Sequence, residues 1–528
     1  MLKIENLTLS PDEPQSLLYD KAAAALRVGK NKLRDLLILR RSVDAREGVR
    51  FVYTVAVCAE GEAAVLRRAK GRVSAYEPTA YELPPAVSCA ERPVVIGAGP
   101  AGLFAALVLA HCGAKPIILE RGRCVEQRRA DVEHFWATGE LDTVSNVQFG
   151  EGGAGTFSDG KLNTGTKDPR HGYILKTFVR FGAKEDILID AKPHVGTDRL
   201  FVCMQNLRAE LISLGAEFRF EHRVTDFIRS GTELTSLAVE SPEGAYTLPC
   251  RHAVLAIGHS ARDTFEALRK AGIAMERKPF AVGVRIEHRQ SDMDAQQYKQ
   301  CVGHPALPPT SYKLAAHTSA GRGVFSFCVC PGGQVVAAAS EQGRTVTNGM
   351  SECARDKENI NGGLLVSVTP EDFPTEDLLA GVAFQRKLEE DAFRLGGGNF
   401  VAPAQRVEDF LAHRPSTGPG KVIPSYRPGV CWCDLHECLP AIITEALEEA
   451  LPMLERKLRG FAAADAVLTA VETRSSSPVR ILRDETYQSN LRGLLPCGEG
   501  AGYAGGIMSA AADGMRAAEF IVKELSYG

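Results

Sequence analysis

Long apolar runs are missing from this sequence: no stretch approaches the ~18 residues that a membrane span requires. The opening residues, MLKIENLTLSPDEPQ, hold no cationic segment followed by an apolar one. No secretory signal is read, and a cytoplasmic location is expected. An excess of one charge sign is also missing. A net charge of −3 over 528 residues gives no bulk attraction to nucleic acid or to an anionic membrane. The 14 cysteines include no CxxC pair, and the one CxxxxC spacing, Cys433 to Cys438, stands far from the glycine-rich loops. No redox disulfide is expected there. The cluster 431-CWCDLHEC-438 gathers Cys431, Cys433, His436 and Cys438. Its spacing matches no common zinc pattern, and no second ligand pair stands at a distance. These cysteines are read as buried free thiols, and no metal is expected.

What is present is a core-forming composition, 45% hydrophobic and 24% charged, on a chain long enough for two to four domains. Residues 1–88 read as a small α+β module in the order β-α-β-β: LKIENLTL, SLLYDKAAAALRV, DLLILRRSV and VRFVYTVAV. Tyr81 to Pro93, with three prolines, reads as a linker. Between Arg27 and Arg50 stand eight Lys/Arg and three Asp/Glu. Without interleaved aromatics this run reads as a solvated charged face rather than a base-stacking surface, so nucleic acid is not the expected partner.

From Pro93 the pattern changes to a β-α-β unit. The strand VVI runs into 97-GAGPAG-102, the helix AGLFAALVLAHC follows, and PIILE is the second strand. Gly97 permits the tight turn, Gly99 lets the backbone approach a pyrophosphate, and Gly102 lets helix and strand pack closely. The helix N-terminus brings partial positive charge to the diphosphate. Glu120, 18 residues after Gly102, ends the second strand where a carboxylate accepts ribose hydroxyls and repels a 2′-phosphate. Pro100, Ala101, Arg121 and Arg128 flank these positions as further cofactor-binding candidates. The next loop, 146-NVQFGEGGAGTFSDGKLNTGTKD-168, has six glycines but also Val147, Phe149, Phe157 and Leu162 as anchors. It reads as an ordered loop covering a ligand larger than a nicotinamide, with Gly153, Thr156 and Lys161 as candidate contacts.

A near-duplicate, 500-GAGYAG-505, lies close to the chain end. LLPC provides a strand before it and IMSAAADGMRAAEFIVKEL a helix after it, but no turn and second strand follow. A second complete nucleotide site is therefore not expected. What remains is Glu499, the loop residues Gly500, Gly505 and Gly506, and a helix beginning at Ile507.

This constellation resembles FAD-dependent oxidoreductases of the two-dinucleotide-binding-domain type, in which a C-terminal acid and glycine loop complete a single FAD site. The resemblance assigns Glu499 to the ribityl chain, a backbone contact near Val224 in 222-HRVTDF-227 to the adenine, and the loop at Gly258 in 251-RHAVLAIGHSARD-263 to the flank of the cofactor. With 280-FAVGVRIEH-288 and the leading 38-ILRRSVDAR-46, these segments look most like a bacterial group of uncharacterised FAD-dependent, or NAD/FAD-utilising, dehydrogenases. The fold implied is α/β: a Rossmann-like FAD-binding domain (93–264 and 479–528), an inserted α+β substrate or cap domain (265–478) and the small N-terminal α+β domain (1–88).

Within the insertion, 322-RGVFSFCVCPGGQVVAAAS-340 reads as two strands joined by a Pro-Gly-Gly turn. Arg474, Ser476, Ser477 and Arg480 precede the returning FAD segment, and the two arginines are candidate substrate ligands. His259, Lys161 and His194 are candidate acid–base groups. The expected activity is hydride transfer between FAD and a small organic substrate, with NAD(P)H a possible transient donor. Modification of RNA or protein with 1–88 as docking module, and a non-enzymatic FAD protein, are the alternatives.

Overall fold

The strand Val94–Ile96 is three residues long and wholly buried. Helices cover both faces of its sheet, so its apolar residues need not alternate with polar ones. It is the middle strand of five, all parallel, in the order Leu494–Pro496, Ala253–Leu255, Val94–Ile96, Ile117–Glu120, Glu217–Phe220. The computed structural model describes residues 1–69, 72–89 and 91–527, apart from the side chain of residue 527.

The helix Pro100–His111 is apolar all round because it is enclosed, and ten of its twelve residues are buried. It lies between the parallel sheet and the C-terminal helix Ile507–Tyr527. The two helices approach so closely that a Cβ on Gly514 would sit 2.0 Å from the Ala101 carbonyl oxygen. At the other side, a Cβ on Gly102 would sit 1.9 Å from the Gly97 carbonyl oxygen. Only glycine permits either approach. The expected β-α-β unit at 94–120 and the strand–loop–helix at 494–527 are both present.

The leading module is an antiparallel sheet ordered Leu33–Asp44, Arg50–Ala59, Leu2–Leu9, Val73–Ala75. Leu18, Ala22 and Leu26 of the helix Leu17–Leu26 repeat every four residues and bury one face against it. The short helix Glu62–Arg68 and the strand Val73–Ala75 extend the expected β-α-β-β order. The module docks on the main body through the Arg41 amide, which donates to the Ile189 carbonyl, and the Arg41 guanidinium, 2.8 Å from Asp190. The proline-rich stretch that follows is not a free tether. Tyr81 donates to Glu519 (2.8 Å) and the Val87 amide to the Cys112 carbonyl, so this stretch lies along the body.

A second large sheet is mixed and eight-stranded. Its order is Ala315–His317, Gly323–Ala337, Asn359–Val368, Phe280–Arg289, Val467–Glu472, Ala402–Arg406, Val430–Trp432, with Thr347–Met350 paired to Gly323–Ala337. Ile443, Leu447 and Leu454 of the helix Ala441–Lys457 share a core with Val284, Ile286 and Leu364. The Pro-Gly-Gly stretch corrects the sequence expectation. It makes no hairpin turn, because Gly323–Ala337 runs through it as one strand. Phe327, Cys330 and Gly333 pair in turn with Gly363, Asn361 and Asn359, and the ladder slips between them. The chain contracts at Cys328, whose φ is +40°, instead of reversing.

The two large units are joined through a buried charge cluster. Arg262 follows the first sheet, Glu389 lies on the helix Ala380–Leu395, and Arg474 follows the second sheet. Glu389 accepts from Arg262 at 2.7 and 2.8 Å and from Arg474 at 3.2 Å. The two guanidiniums hold its carboxyl well below the usual range despite burial. Glu389→Ala would remove the buried carboxylate both guanidiniums share, leaving Arg262 with Glu341 alone (2.5 Å) and Arg474 without a close carboxylate, which costs about 3–5 kcal/mol. A large fall in the urea midpoint of the variant is expected; a loss under about 1 kcal/mol would contradict this role.

Candidate functional site

The parallel strands end in a pocket at their carboxyl edge, the position where open α/β sheets bind ligands. Both glycine loops reach it. Gly97, Gly99, Pro100 and Ala101 line one wall; Gly498, Glu499, Gly506 and Ile507 line the facing one. Two helix N-termini therefore point at one space, each offering unpaired backbone N–H groups and partial positive charge. A Cβ on Gly99 would meet only the Gly153 backbone, at 3.8 Å, and a Cβ on Gly258 or Gly506 would meet nothing within 4 Å. Bare backbone thus faces open space on three sides. That is a cradle a side chain would fill, and its shape and donor set suit a dinucleotide diphosphate.

One end of the pocket is formed by Glu120, Arg121, His222, Arg223 and Val224. The Glu120 carboxylate accepts from the amides of Ala98 (2.8 Å), Gly122 (2.9 Å) and Gly150 (3.0 Å). These bonds fix its orientation, and the remaining lone pair, on Oε2, is open to a ribose hydroxyl. Arg121 donates to Asp263 (2.8 Å) and Thr264 (3.0 Å), with its guanidinium 4.4 Å from the centre of the Phe149 ring. The loop 146–160 closes over this end, anchored by the buried side chains of Val147, Phe149 and Phe157.

The other end is titratable. Lys161 and Asp159 come from the same loop, while Phe327, Cys328, Asn348, Glu472 and Arg474 come from the second sheet and its margin. Lys161 donates to the Val329 carbonyl and lies 3.5 Å from Asp159. Burial opposes its charge, but Cys330, Cys328 and Asp159 outweigh burial and raise its pKa. Asp159 is buried too, yet Lys161 and Arg355 hold its carboxyl down. Glu472 is paired with the buried Arg285 at 3.0 Å, and its pKa is pushed up by burial to about 7. His259 lies 3.4 Å from Glu499 through Nδ1, and its Nε2 is buried without a partner.

Several sequence candidates stand apart from the pocket wall. Gly102 serves helix–strand packing, as above. Arg128 is fully buried, and its guanidinium donates to the carbonyls of Asn146, Val147, Gly150 and Glu151. It shapes the covering loop from behind. Thr156 is buried under the same loop, where its hydroxyl would lie 2.0 Å from a Cβ on Gly152. Gly500 packs on Gly258, and Gly505 caps the last helix through Ser509 (3.2 Å). His194 faces a different cavity and lies 3.3 Å from the Cys353 carbonyl. Arg474 reaches the wall, but its guanidinium is committed to Glu389 and to Ser340 (2.5 Å). Arg480 pairs with Glu276 (2.9 Å) outside the pocket. Neither arginine offers a free fork to a substrate carboxylate.

That second cavity, of about 1610 Å³, separates the N-terminal sheet from the body and collects Arg40, Arg41, Arg46 and Arg50 of the basic run. Carboxylates of this chain answer three of them: Asp190 for Arg41, and Asp44 for Arg46 and Arg50. Cys433 and Cys438 are buried, with thiols pushed up by burial. His436 instead bonds to Asp434 and Glu448, both at 2.6 Å; its ligand atoms and those of His413 and Glu448 lie within 4.8 Å of one another. No described helix is long and apolar enough to cross a membrane.

Sequence reasoning missed Glu472, Cys328 and Asn348. Each lies on a strand far along the chain from the glycine loops, and no spacing ties it to them. Only the fold brings these residues to the pocket.

Comparison with known proteins agrees with this geometry. Residues 92–156 match an FAD binding domain, and residues 279–475 match a family described as FAD-dependent protein, C-terminal domain-like. Residues 1–58 match a domain of unknown function. A relative from Clostridium beijerinckii, described as an uncharacterized protein, is 45% identical over 531 residues, 99% of each chain. Among solved structures, a flavoprotein/dehydrogenase from Cytophaga hutchinsonii shares 12% identity over 83% of this chain and 78% of that one, with a TM-score of 0.38. A glycerol-3-phosphate dehydrogenase from Bacillus halodurans complexed with FAD shares 14% over 83% and 64%, with a TM-score of 0.35. Both structural likenesses are distant, and no property of those proteins is carried over. On the matched family regions and the full-length relative, the chain belongs to the bacterial family of uncharacterised FAD-dependent dehydrogenases within the two-dinucleotide-binding-domain flavoproteins.

Proposed function

We propose that the pocket holds one FAD along its length and that the chain moves a hydride between this cofactor and a small organic substrate or a nicotinamide donor. The observation that carries the reading is the convergence of both glycine loops and both helix N-termini on one cradle, with Glu120 at one end and a titratable cluster at the other. In this reading Glu120 accepts the adenosine ribose hydroxyls, and the backbone near Val224 meets the adenine. The N–H groups of Gly99 and Ala101, on either side of Pro100, bind the diphosphate. Glu499 accepts from the ribityl chain, and the N-terminus at Ile507 favours negative charge on the pyrimidine side of the ring. When bound, FAD supplies reversible hydride acceptance.

The protein's own groups manage protons and exclude water. Glu472, with a pKa near 7 and Arg285 beside it, holds or releases a proton close to neutrality. Lys161 keeps its charge through the thiols and Asp159 around it, and offers a donor at the same end. His259 presents the unpartnered Nε2 to the remaining polar demand. In this reading the domain 93–264 with 479–528 supplies the cradle together with Asp159, Lys161 and His259, and the domain 265–478 supplies Cys328, Asn348 and Glu472 across from them.

The reaction class is tested by anaerobic stopped-flow bleaching of the purified yellow protein with NADH, NADPH and a panel of small metabolites. At least one should bleach the flavin within the turnover range of flavoenzymes; bleaching by none would contradict the dehydrogenase reading. Gly99→Val would place a side chain in the cradle, and Glu120→Ala would remove the ribose acceptor. Each should weaken FAD retention about tenfold or more, read as flavin absorbance per chain after gel filtration. Undiminished retention in both folded variants would misplace the site. Glu472 is protonated in the folded chain below about pH 7 and ionised above it. Its folded pKa lies above the unfolded value of 4.5, so stability falls as pH rises from about 4.5 through 7. A shift in the bound-flavin spectrum with a midpoint near 7 is expected in the native protein and should vanish in Glu472→Gln. Persistence of that midpoint in the variant would assign it elsewhere.

A further inference from the structure

The titratable end of the pocket contains a pair of thiols that the hydride reading does not use. Cys328 lines the pocket wall, and Cys330, two residues on, is buried behind it. In a regular strand, residues two apart rise about 6.6 Å along the chain, too far for the roughly 3.5–4.5 Å between Cβ atoms that a disulfide spans. This strand is not regular here. Cys328 has φ +40°, and the ladder slips on both sides of Cys330. The chain folds back on itself here, and the Cys330 thiol donates to the Cys328 carbonyl at 3.4 Å.

Two cations converge on the pair. The Lys161 ammonium is held on the carbonyl of Val329, the residue between the two cysteines. The Arg285 guanidinium donates to the Cys328 carbonyl at 2.9 Å and lies 3.7 Å from the Cys330 sulfur. The neighbouring Cys330 thiol and these cations draw the Cys328 thiol down towards thiolate, while Cys330 is pushed up and stays protonated. A thiolate beside a protonated thiol is the reactive state of a dithiol. The only other cysteine lining the pocket is Cys497, whose thiol burial keeps protonated. Glu472 stands within the same cluster to take up a released proton.

We propose that Cys328 and Cys330 are a redox-active dithiol that closes to a disulfide and exchanges electrons with the flavin of the adjoining pocket. In the forward direction the Sγ–Sγ bond forms from the Cys328 thiolate and the Cys330 thiol, whose S–H bond breaks. The two electrons and that one proton would reduce an oxidised flavin held in the pocket; the Cys328 proton has already passed to Glu472 or to water when the thiolate formed. The reverse step uses the reduced flavin to open the disulfide. The inference rests on the FAD reading above and identifies a thiol/disulfide couple as one redox partner of that site.

Electron counting and thiol mapping test it together. Anaerobic dithionite titration of the air-oxidised holoprotein should consume about four electrons per bound flavin, against about two in Cys330→Ser. Independently of any variant, the tryptic peptide 323–344 contains these two cysteines and no other. From oxidised holoprotein unfolded in iodoacetamide it should be recovered unalkylated and two hydrogens lighter than the dithiol. After dithiothreitol it should carry two labels. A wild-type titration ending near two electrons, with both thiols labelled in the oxidised holoprotein, would overturn the proposal and leave the FAD reading standing. Absence of flavin absorbance in the purified protein would overturn both.

Discussion

Everything at the pocket depends on how closely two helices approach. Helix Pro100–His111 and helix Ile507–Tyr527 come from segments some four hundred residues apart, yet Gly514 rests on the Ala101 carbonyl. A side chain at that contact would drive the helices apart by ångströms. Because they touch, their N-termini open onto the same space. The field that favours a diphosphate is therefore joined to one that favours negative charge farther along the pocket. Glu120, Gly258 and Glu499 acquire their relation to one another from this packing.

The same contact explains why two similar loops make one site. The first loop leads into a helix, a turn and a second strand that ends in an acid. The second loop leads into the helix Ile507–Tyr527 and contributes a wall and an N-terminus to the same pocket. The second large sheet then closes the far end with Glu472 against Arg285 and with Cys328 and Cys330, facing Lys161 and Asp159 of the covering loop. The buried Arg262–Glu389–Arg474 cluster sets the two units against each other, so the cradle and the titratable wall stay in register.

Much of the nucleotide half was legible in the sequence because its constraints are local. A glycine at 102 and an acid at 120 follow from what a strand, a turn and a helix demand over about thirty residues. The final loop was legible from its length. The titratable wall was not. Glu472 stands on a strand whose partners are far away in sequence, Cys328 on one paired with its own neighbours, and nothing in the spacing of either points to residue 97. Arg474 was noticed for its position before the returning strand, but its partner Glu389 lies 85 residues earlier on a helix, so an internal ion pair read as a free substrate ligand. The Pro-Gly-Gly stretch has turn composition, yet Asn359–Val368 supplies a paired strand beside it, with a slipped register, and tertiary pairing overrides the local preference.

The central claim is that one chain builds one dinucleotide site, and that the dinucleotide is FAD. Its most direct measurement is the amount and identity of nucleotide released by acid or heat from a known quantity of full-length protein. The account predicts FAD at about one per chain when the protein is saturated, with no second tightly held dinucleotide. Two dinucleotides per chain, or NAD in place of FAD, would contradict it.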